Sequence, residues 1–493
     1  MSRSCGVLLS ITSLPSKYGI GSFSKEAYDF VDWLKAAGQT YWQILPLGTT
    51  SFGDSPYQAF SINAGNPYMI SLDELVKEGL LLQSEVDNAD FGNDPSRVDY
   101  EKQYNERFKL LRLAFSRYSP DEEFKKFCDE NSEWLHDYAL FMSIKDDNDG
   151  AAYYEWDELL KKHEKSALGE FEEKNFQNIL FHKYLQYKFF SQWHRLKRYA
   201  NSQGIKIIGD IPIYVSRDSV DVWSKSELFL LNNELTPTLV AGCPPDSFSK
   251  TGQLWGNPIY NWDYHKKNGF LWWKERISSA LNLYDMLRID HFRGFDEYYA
   301  IPYGDNTAEN GEWKKGPGKE LFSALKYIAP SDKIIAEDLG FITESVNELV
   351  KFTGYKNMKI IEFGFDSRDT STDNVHLPHN YQNNSVVYTA THDNQTLISW
   401  YNTISDEERR LLRTYLNDFT TPDEKINIPI IALAYRSVSD ICIIPMQDWL
   451  GLDDEARMNT PSTIGDNWRW RLDKMPNQEL AEVMKNMSKT FSR

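Results

Sequence analysis

The chain of 493 residues has few cysteines, fewer basic than acidic residues and no long apolar run. Its four cysteines lie far apart and form no CxxC pair, so a disulfide framework and a zinc cluster are not expected. Lysine and arginine total 54 against 72 acidic residues, a net charge of −18 that disfavours nucleic acids and anionic membranes as partners. No segment approaches the length of a membrane span, and the N-terminal residues lack a signal-peptide pattern. The composition therefore predicts a cytoplasmic protein that binds no nucleic acid and no membrane.

Eight short apolar segments rich in valine, isoleucine and leucine are predicted strands, and helical patterns lie between most of them. Strands that are apolar on both faces are typical of a parallel sheet covered on both sides. The clearest helix covers 24–37, with Ser24 as its N-cap and Gly38 just past its end. The predicted strands are 6–11, 41–47, 205–211, 284–290, 333–337, 358–363, 385–390 and 440–446.

The alternation of eight strands with helices predicts an α/β fold, a (β/α)8 TIM barrel. A doubly wound open sheet is the alternative, although no GxGxxG motif follows a strand. Because the spacing is uneven, we expect a single catalytic barrel over 1–493 with a largely helical subdomain inserted at about 73–175 and a loop-rich lid subdomain at about 212–270. The last strand and helix leave no room for a C-terminal β-domain.

Three apolar runs end in a carboxylate, at Asp290 in MLRID, Glu337 in KIIAED and Asp393 in VVYTATHDN. A charge at the rim of a core is costly unless it is paired or used, so three such endings predict one polar site at the strand tips. Arg288 lies two residues before Asp290 and faces the same side of its strand, where it would keep the aspartate ionised. A structural Arg–Asp pair is the alternative there. Helix capping is the alternative for Asp393, and for Glu337 or its neighbour Asp338.

A pair of carboxylates with a third carboxylate nearby, and without a metal cluster, suits the cleavage of a glycosidic bond. In that chemistry one aspartate attacks the anomeric carbon, one glutamate protonates the leaving oxygen, and a covalent glycosyl-enzyme forms. The chain also has 15 tryptophans and 28 tyrosines, and several of them lie in loop-like segments rich in glycine, proline and asparagine. Flat rings on loops suit the C–H faces of sugars.

Longer motifs extend this pattern along almost the whole chain: SLPSKYGIGSF (13–23), SPYQAFSINAGNPY (55–68), GDIPIYVSRDSVDVW (209–223), PPDSFSKTGQLWGNPIYNW (244–262), RIDHFRGF (288–295), AEDLG (336–340), THDNQT (391–396) and MNTPST…NWRWR (458–471). In these motifs and their order the chain resembles the 4-alpha-glucanotransferases of glycoside hydrolase family 77, also called amylomaltases or disproportionating enzymes. The resemblance implies a (β/α)8 barrel with inserted subdomains and transfer of α-1,4-glucan segments.

The resemblance also implies roles for individual residues. Asp290 would be the nucleophile, Glu337 the general acid and base, and Asp393 the residue that stabilises the transition state through the sugar hydroxyls. The substrate-binding residues implied in the same way are Tyr57, Asp210, Asp246, Gln253, Trp255, Arg288, His291 and His392. Ser247, Gln395 and Ser462 depart from the common family pattern, and we expect them to affect subsite preference.

Maltooligosaccharides and other α-1,4-glucans would be the donors, and glucose or a glucan the acceptor. No cofactor and no metal site are expected, since the mechanism needs neither and no D-x-[DN]-x-[DN]-G calcium loop occurs. A retaining α-1,4-glucan hydrolase is the alternative, because it shares the first half-reaction and differs only in using water for the second. A non-catalytic glucan-binding protein is a further alternative, which the three acids disfavour.

Overall fold

The computed structural model describes residues 3–50, 52–245, 249–340, 342–367 and 373–493. Strands within these ranges are β1 Ser4–Leu8, β2 Tyr41–Gln43, β3 Lys206–Ile211, β4 Leu239–Cys243, β5 Gln253–Pro258, β6 Met286–Ile289, β7 Glu297–Pro302, β8 Glu312–Lys315, β9 Ile334–Ala336, β10 Lys356–Ile360, β11 Ser385–Tyr388 and β12 Ile441–Pro445. The α-helices are α1 Lys25–Ala36, α2 Leu72–Lys77, α3 Gln83–Asp87, α4 Tyr100–Lys102, α5 Phe108–Arg117, α6 Glu122–Glu130, α7 Ser132–Asp147, α8 Glu158–Lys161, α9 Lys165–Ser202, α10 Val220–Ser224, α11 Trp262–Lys267, α12 Leu271–Leu283, α13 Gly318–Leu325, α14 Glu344–Thr353, α15 Leu397–Thr403, α16 Asp406–Leu416, α17 Asn427–Arg436, α18 Met446–Leu450 and α19 Gln478–Thr490.

Eight parallel strands close into a barrel in the order β1-β12-β11-β10-β9-β6-β3-β2. These are the eight strands predicted from the sequence, with ends that differ by a few residues, so the predicted (β/α)8 fold is confirmed. The strands are buried almost throughout because helices cover the outside of the barrel and side chains fill its interior. Helix α1 begins after Ser24, and Gly38 follows it with a φ of 70°, as its sequence pattern predicts.

Helices α2 to α9 lie between β2 and β3, in the stretch where the sequence predicts a helical insertion. The last of them, α9, is 38 residues long and has a break in helical geometry at Asn175. Its N-terminal part packs on α7, and its C-terminal part packs on α1 and β3, where it serves as a helix of the barrel. A single long helix therefore ties the insertion to the barrel.

A second, four-stranded sheet of order β5-β4-β7-β8 stands beside the barrel. Its pairings are antiparallel, and its strands come from both sides of the barrel strand β6. The sequence analysis expected only loops here, because glycine, proline and tryptophan interrupt the alternation that marks a strand. This sheet places Gln253 and Trp255, both on β5, at the mouth of the barrel.

The chain continues from β12 to Arg493 as helices and loops, with α19 packed against α1 and α17. In the described part of the chain, no helix combines the length and the hydrophobicity that a membrane crossing requires.

Candidate active site

The first two predicted acids lie next to each other at the carboxyl ends of neighbouring barrel strands. Ile289 pairs with Ala336, so the residues that follow them, Asp290 and Glu337, leave the ladder side by side. Both strands point the same way, and in a (β/α)8 barrel this end carries the chemistry. Burial and, after it, the negative charge of the neighbouring Asp290 raise the pKa of Glu337.

Asp290 is held by a guanidinium. Arg288 Nη2 lies 2.8 Å from Asp290 Oδ1, and Arg288 Nη1 donates a 2.6 Å hydrogen bond to Asp210 Oδ2. Arg288 and Asp210 are buried, whereas the side chain of Asp290 is 29% exposed and faces the cleft. Burial raises the pKa of Asp290, and the charge of Arg288 opposes this. Asp290 thus has a cation in contact and an open side toward a ligand, unlike a sealed structural pair.

Glu337 has no cation in direct contact among the described residues, and its carboxylate accepts two backbone hydrogen bonds instead. Its Oε2 accepts from His291 N at 2.6 Å and its Oε1 accepts from Leu339 N at 2.9 Å. Burial, with the charge of Asp290, raises the pKa of Glu337 to about 8. Since only Asp290 has a guanidinium in contact, Asp290 gives up its proton first and Glu337 keeps one near neutral pH.

His291 supplies that backbone N–H from an uncommon conformation. Its φ is 50°, in the left-handed region that residues other than glycine rarely occupy. The conformation aims the amide at Glu337, while the imidazole packs edge to face on Trp255 with ring centroids 4.8 Å apart. Burial, together with the nearby charge of Arg293, lowers the pKa of His291 to about 3, so the ring is neutral and offers a neutral donor or acceptor.

Asp393 reaches the same region from across the barrel, in the turn after β11. Its Oδ1 accepts a 2.6 Å hydrogen bond from Asn459 Nδ2, and its negative charge helps to raise the pKa of Asp290. The helix-capping alternatives are wrong for these acids. Thr396 occupies the N-cap of α15 and Thr343 that of α14, while Asp338 turns inward to accept from Met358 N at 2.9 Å.

Aromatic rings border the acids on one side. Tyr57 stacks on His392 with ring centroids 5.2 Å apart and an interplanar angle of 14°, and its hydroxyl donates a 2.8 Å hydrogen bond to Asp210 Oδ2. Trp468 lies tilted against both rings, at 5.7 Å from Tyr57 and 5.9 Å from His392. A flat, partly open aromatic surface of this kind suits the face of a sugar ring. The hydrogen bond to the buried Asp210 fixes the orientation of the Tyr57 ring.

Asp290 and Asp393 line a cleft of about 930 Å³ together with Tyr57, His291, His392, Gln253 and Trp255. Its volume is that of a site for a ligand larger than one sugar. Within the segment predicted as a lid, Trp255 borders the cleft. Tyr260 of the same segment is fully buried, and its hydroxyl donates to Ile213 O at 2.8 Å, so it is a core residue and does not contact a ligand in the cleft.

Eleven residues were predicted as site residues, and the structure describes ten of them within this region. The exception is Asp246, which lies outside the described residues together with Ser247. Among the described residues, no group of three or more histidine, cysteine, aspartate or glutamate side chains could hold a metal ion.

Comparison with known proteins agrees with this geometry. A family model described as 4-alpha-glucanotransferase, that of glycoside hydrolase family 77, matches residues 9–476. The chain belongs to this family. The 4-alpha-glucanotransferase of Clostridium butyricum is 48% identical over 488 residues, covering 98% of this chain and 99% of the relative. That of Streptococcus pneumoniae is 48% identical over 475 residues, covering 95% and 93%.

A solved structure gives the same result in three dimensions. The amylomaltase of Streptococcus agalactiae, determined in complex with acarbose, superposes with a TM-score of 0.96 at 43% identity and covers 100% of this chain and 99% of its own. The enzyme is therefore a 4-alpha-glucanotransferase with the amylomaltase fold, which confirms the resemblance found in the sequence and disfavours the hydrolase alternative.

Sequence reasoning gave no role to two residues of this family 77 site. Arg457 donates from Nη2 to Asp393 O at 2.7 Å and from Nε to Asn459 O at 2.9 Å. It therefore joins the turn that carries Asp393 to the loop that carries Asn459. Asn459 stands in the motif MNTPST, but its partner is 66 residues away along the chain. The motif marks Asn459 as a candidate site residue but does not identify its hydrogen-bond partner.

Proposed function

We propose that this enzyme transfers α-1,4-glucan segments by a retaining double displacement through a covalent intermediate on Asp290. The observation that carries the proposal is the contrast between the two neighbouring acids. Asp290 has a guanidinium at 2.8 Å and an open face, whereas Glu337 is buried and its pKa is raised to about 8. One of them is suited to attack as an anion and the other to protonate a leaving oxygen.

In the first half-reaction, Asp290 Oδ attacks the anomeric carbon and forms a bond to it while the glycosidic C–O bond breaks. The proton of Glu337 passes to the departing 4-hydroxyl, which keeps atoms and charge in balance. Arg288 spreads the charge of the attacking carboxylate and fixes its direction. Asp393, held by Asn459, is placed to accept hydrogen bonds from sugar hydroxyls as positive charge develops at the anomeric carbon.

In the second half-reaction, the ionised Glu337 takes the proton of an incoming hydroxyl, which attacks the same carbon and releases Asp290. We propose maltooligosaccharides and longer α-1,4-glucans as donors, and glucose or a glucan as the acceptor. The volume of the cleft and its aromatic wall support an acceptor sugar in place of water. Maltotriose tests the reaction: glucose with a ladder of longer oligosaccharides is expected, whereas glucose and maltose alone would contradict transfer.

Two further features of the chain, its subdomains and its location in the cell, are also proposals. We propose that the helical segment at about 73–175 and the segment at about 212–270 act as subdomains of a single catalytic unit, with the second contributing a lid over the cleft. We also propose a cytoplasmic location, which rests on the acidic composition and the small number of cysteines.

The pH dependence of kcat/KM follows from the raised pKa of Glu337. The protonated acid is required in the free enzyme, so activity is retained below pH 8 and lost as pH rises through about 8. Above that value we expect kcat/KM for maltotriose to fall about tenfold per pH unit. Initial rates measured from pH 5 to pH 10 would show this limb. A flat profile to pH 10 would contradict the assignment of Glu337 as the acid.

The lid proposal predicts a change in the fate of the intermediate. Trp255 borders the cleft and packs on His291, which follows Asp290, so Trp255→Ala opens space for water beside His291. We expect the ratio of transfer to hydrolysis to fall severalfold, because water then competes with the acceptor. Trp255→Phe is the matched control and is expected to retain most of the ratio. Hydrolysis is measured as the increase in reducing ends, and transfer as the glucose released beyond that increase. An unchanged ratio in Trp255→Ala would contradict the lid role.

Arg457 is expected to act on the reaction through Asp393. Arg457→Ala releases the turn that holds Asp393 and the loop that holds Asn459, and a displacement of about 1 Å at a reacting group can cost about 10²-fold in rate. We expect kcat to fall by one to two orders of magnitude with a smaller change in KM, and Arg457→Lys to recover part of the loss. A rise in KM of that size with an unchanged kcat would indicate that Arg457 affects substrate binding and not the position of Asp393.

A further inference from the structure

Arg217 lies in the loop after β3 and borders the cleft beyond the catalytic acids. Its Nη1 donates a 2.6 Å hydrogen bond to the hydroxyl of Tyr303, and its Nε is buried without a hydrogen-bond partner among the described residues. Within the same part of the chain, Arg217 forms no ion pair. A guanidinium carries five N–H donors, so most of them have no described acceptor.

Two tyrosine rings hold the guanidinium of Arg217. Its central carbon is 3.8 Å from the ring centroid of Tyr154 and 5.0 Å from that of Tyr303. The first ring belongs to the helical insertion and the second follows β7 of the four-stranded sheet. Stacking on aromatic rings fixes the plane in which the N–H groups point, which lowers the entropy lost when a ligand binds them.

A buried ion pair next to this cluster fixes its two backbone segments. Lys145 Nζ lies 2.5 Å from Asp218 Oδ2, with side chains that are 7% and 18% exposed. Lys145 also donates to Ala151 O at 3.0 Å, and Asp218 Oδ1 accepts from Tyr153 N at 3.1 Å. The neighbours of Tyr154 and Arg217 are thus joined directly, so the cluster is formed before a ligand arrives.

We propose that Arg217 and Tyr154 form a distal glucosyl-binding subsite that favours long glucan chains over short ones. Both residues line the same cleft as Asp290 and Asp393, so a chain bound at the acids can extend toward them. The ligand class is a neutral oligosaccharide, whose hydroxyl oxygens accept hydrogen bonds from the guanidinium while its C–H face packs against the phenol ring. The inference rests on glucan transfer in this cleft.

The test compares donors of two lengths. For each variant, kcat/KM is measured with maltoheptaose and with maltotriose, and the ratio of the two is the readout. Arg217→Ala and Tyr154→Ala are expected to lower this ratio by about threefold to tenfold, the loss typical of one or two hydrogen bonds or a stacking contact. Arg217→Lys keeps the charge without the planar donors, and we expect an intermediate ratio.

Arg112→Ala is the matched control, because Arg112 lies in the helical insertion, also stacks on an aromatic ring, 4.3 Å from the centroid of Phe181 on α9, and does not border the cleft. Its ratio should equal that of the parent enzyme. If Arg217→Ala does not fold, Arg217→Lys and Tyr154→Ala carry the comparison. An unchanged ratio in these cleft variants would contradict the subsite proposal, whether kcat/KM falls equally for both donors or for neither. If the parent enzyme transfers glucan from neither donor, the proposed function on which the subsite rests is contradicted instead.

Discussion

Asp290→Asn is expected to reduce kcat for transfer from maltotriose on the order of 10⁴-fold or more, with little loss of thermal stability. The amide has nearly the shape of the carboxyl group but cannot attack the anomeric carbon, so the first half-reaction has no nucleophile. Stability should change little because Asp290 faces the cleft, and the buried partner of Arg288 is Asp210. Residual rates are measured by glucose release, and folding by thermal denaturation.

The control for this variant separates chemistry from structure. Asp210→Asn changes the other acid that contacts Arg288, and it is expected to impair both folding and activity, since Asp210 is buried and also accepts from Tyr57. Asp290→Asn should impair activity alone. An Asp290→Asn enzyme that still disproportionates maltotriose at more than about 1% of the parent rate would contradict the nucleophilic role, because such a role is worth several orders of magnitude.

Glu337→Gln is expected to lower kcat with maltotriose by about 10²- to 10⁴-fold, the usual contribution of general acid–base catalysis. The loss should depend on the leaving group. A donor such as α-maltosyl fluoride needs no protonation to depart, so Glu337→Gln should release one equivalent of fluoride in a rapid burst. Slow turnover should follow, because no base then activates the acceptor hydroxyl.

Comparison of Glu337→Gln with Asp290→Asn on the same fluoride donor separates the roles of the two acids. Asp290→Asn should show no fluoride burst, since its defect precedes departure of the leaving group. Azide, a nucleophile that needs no base, should restore turnover in Glu337→Gln and leave Asp290→Asn inactive. The basic limb near pH 8 should also be absent from the burst phase of Glu337→Gln. A Glu337→Gln enzyme that is equally slow with both donors would show that Glu337 has a role other than proton transfer.

Much of the fold was predictable because one simple rule governs it. A strand buried on both faces must be apolar along its whole length, so each barrel strand stands out from the amphipathic helices around it. The candidate catalytic acids Asp290 and Glu337 were also visible in the sequence, because each of them ends an apolar run. The family motifs then added the substrate class, which no local pattern could supply.

The four-stranded sheet and the clamp around Asp393 were not predictable from local patterns. Strands β4 and β5 contain glycine and polar residues, and β4 pairs both with β5 and with β7, which follows the barrel strand β6. A short window of sequence does not show the pairing with β7. The burial of Tyr260 was not predictable either, because this residue lies in a loop-like segment and is buried by rings from other segments. The pKa contrast between Asp290 and Glu337 likewise needs three dimensions, because Arg288 contacts only one of them.

The most direct measurement of the central claim is the mass of the protein trapped in mid-reaction. Glu337→Gln is mixed with α-maltosyl fluoride, quenched in acid after the burst, digested and analysed by peptide mass spectrometry. We predict a maltosyl adduct on the peptide that contains Asp290, and no such adduct in Asp290→Asn. An adduct on a different residue, or fluoride released in a burst without any adduct, would contradict a glucan transfer that passes through Asp290.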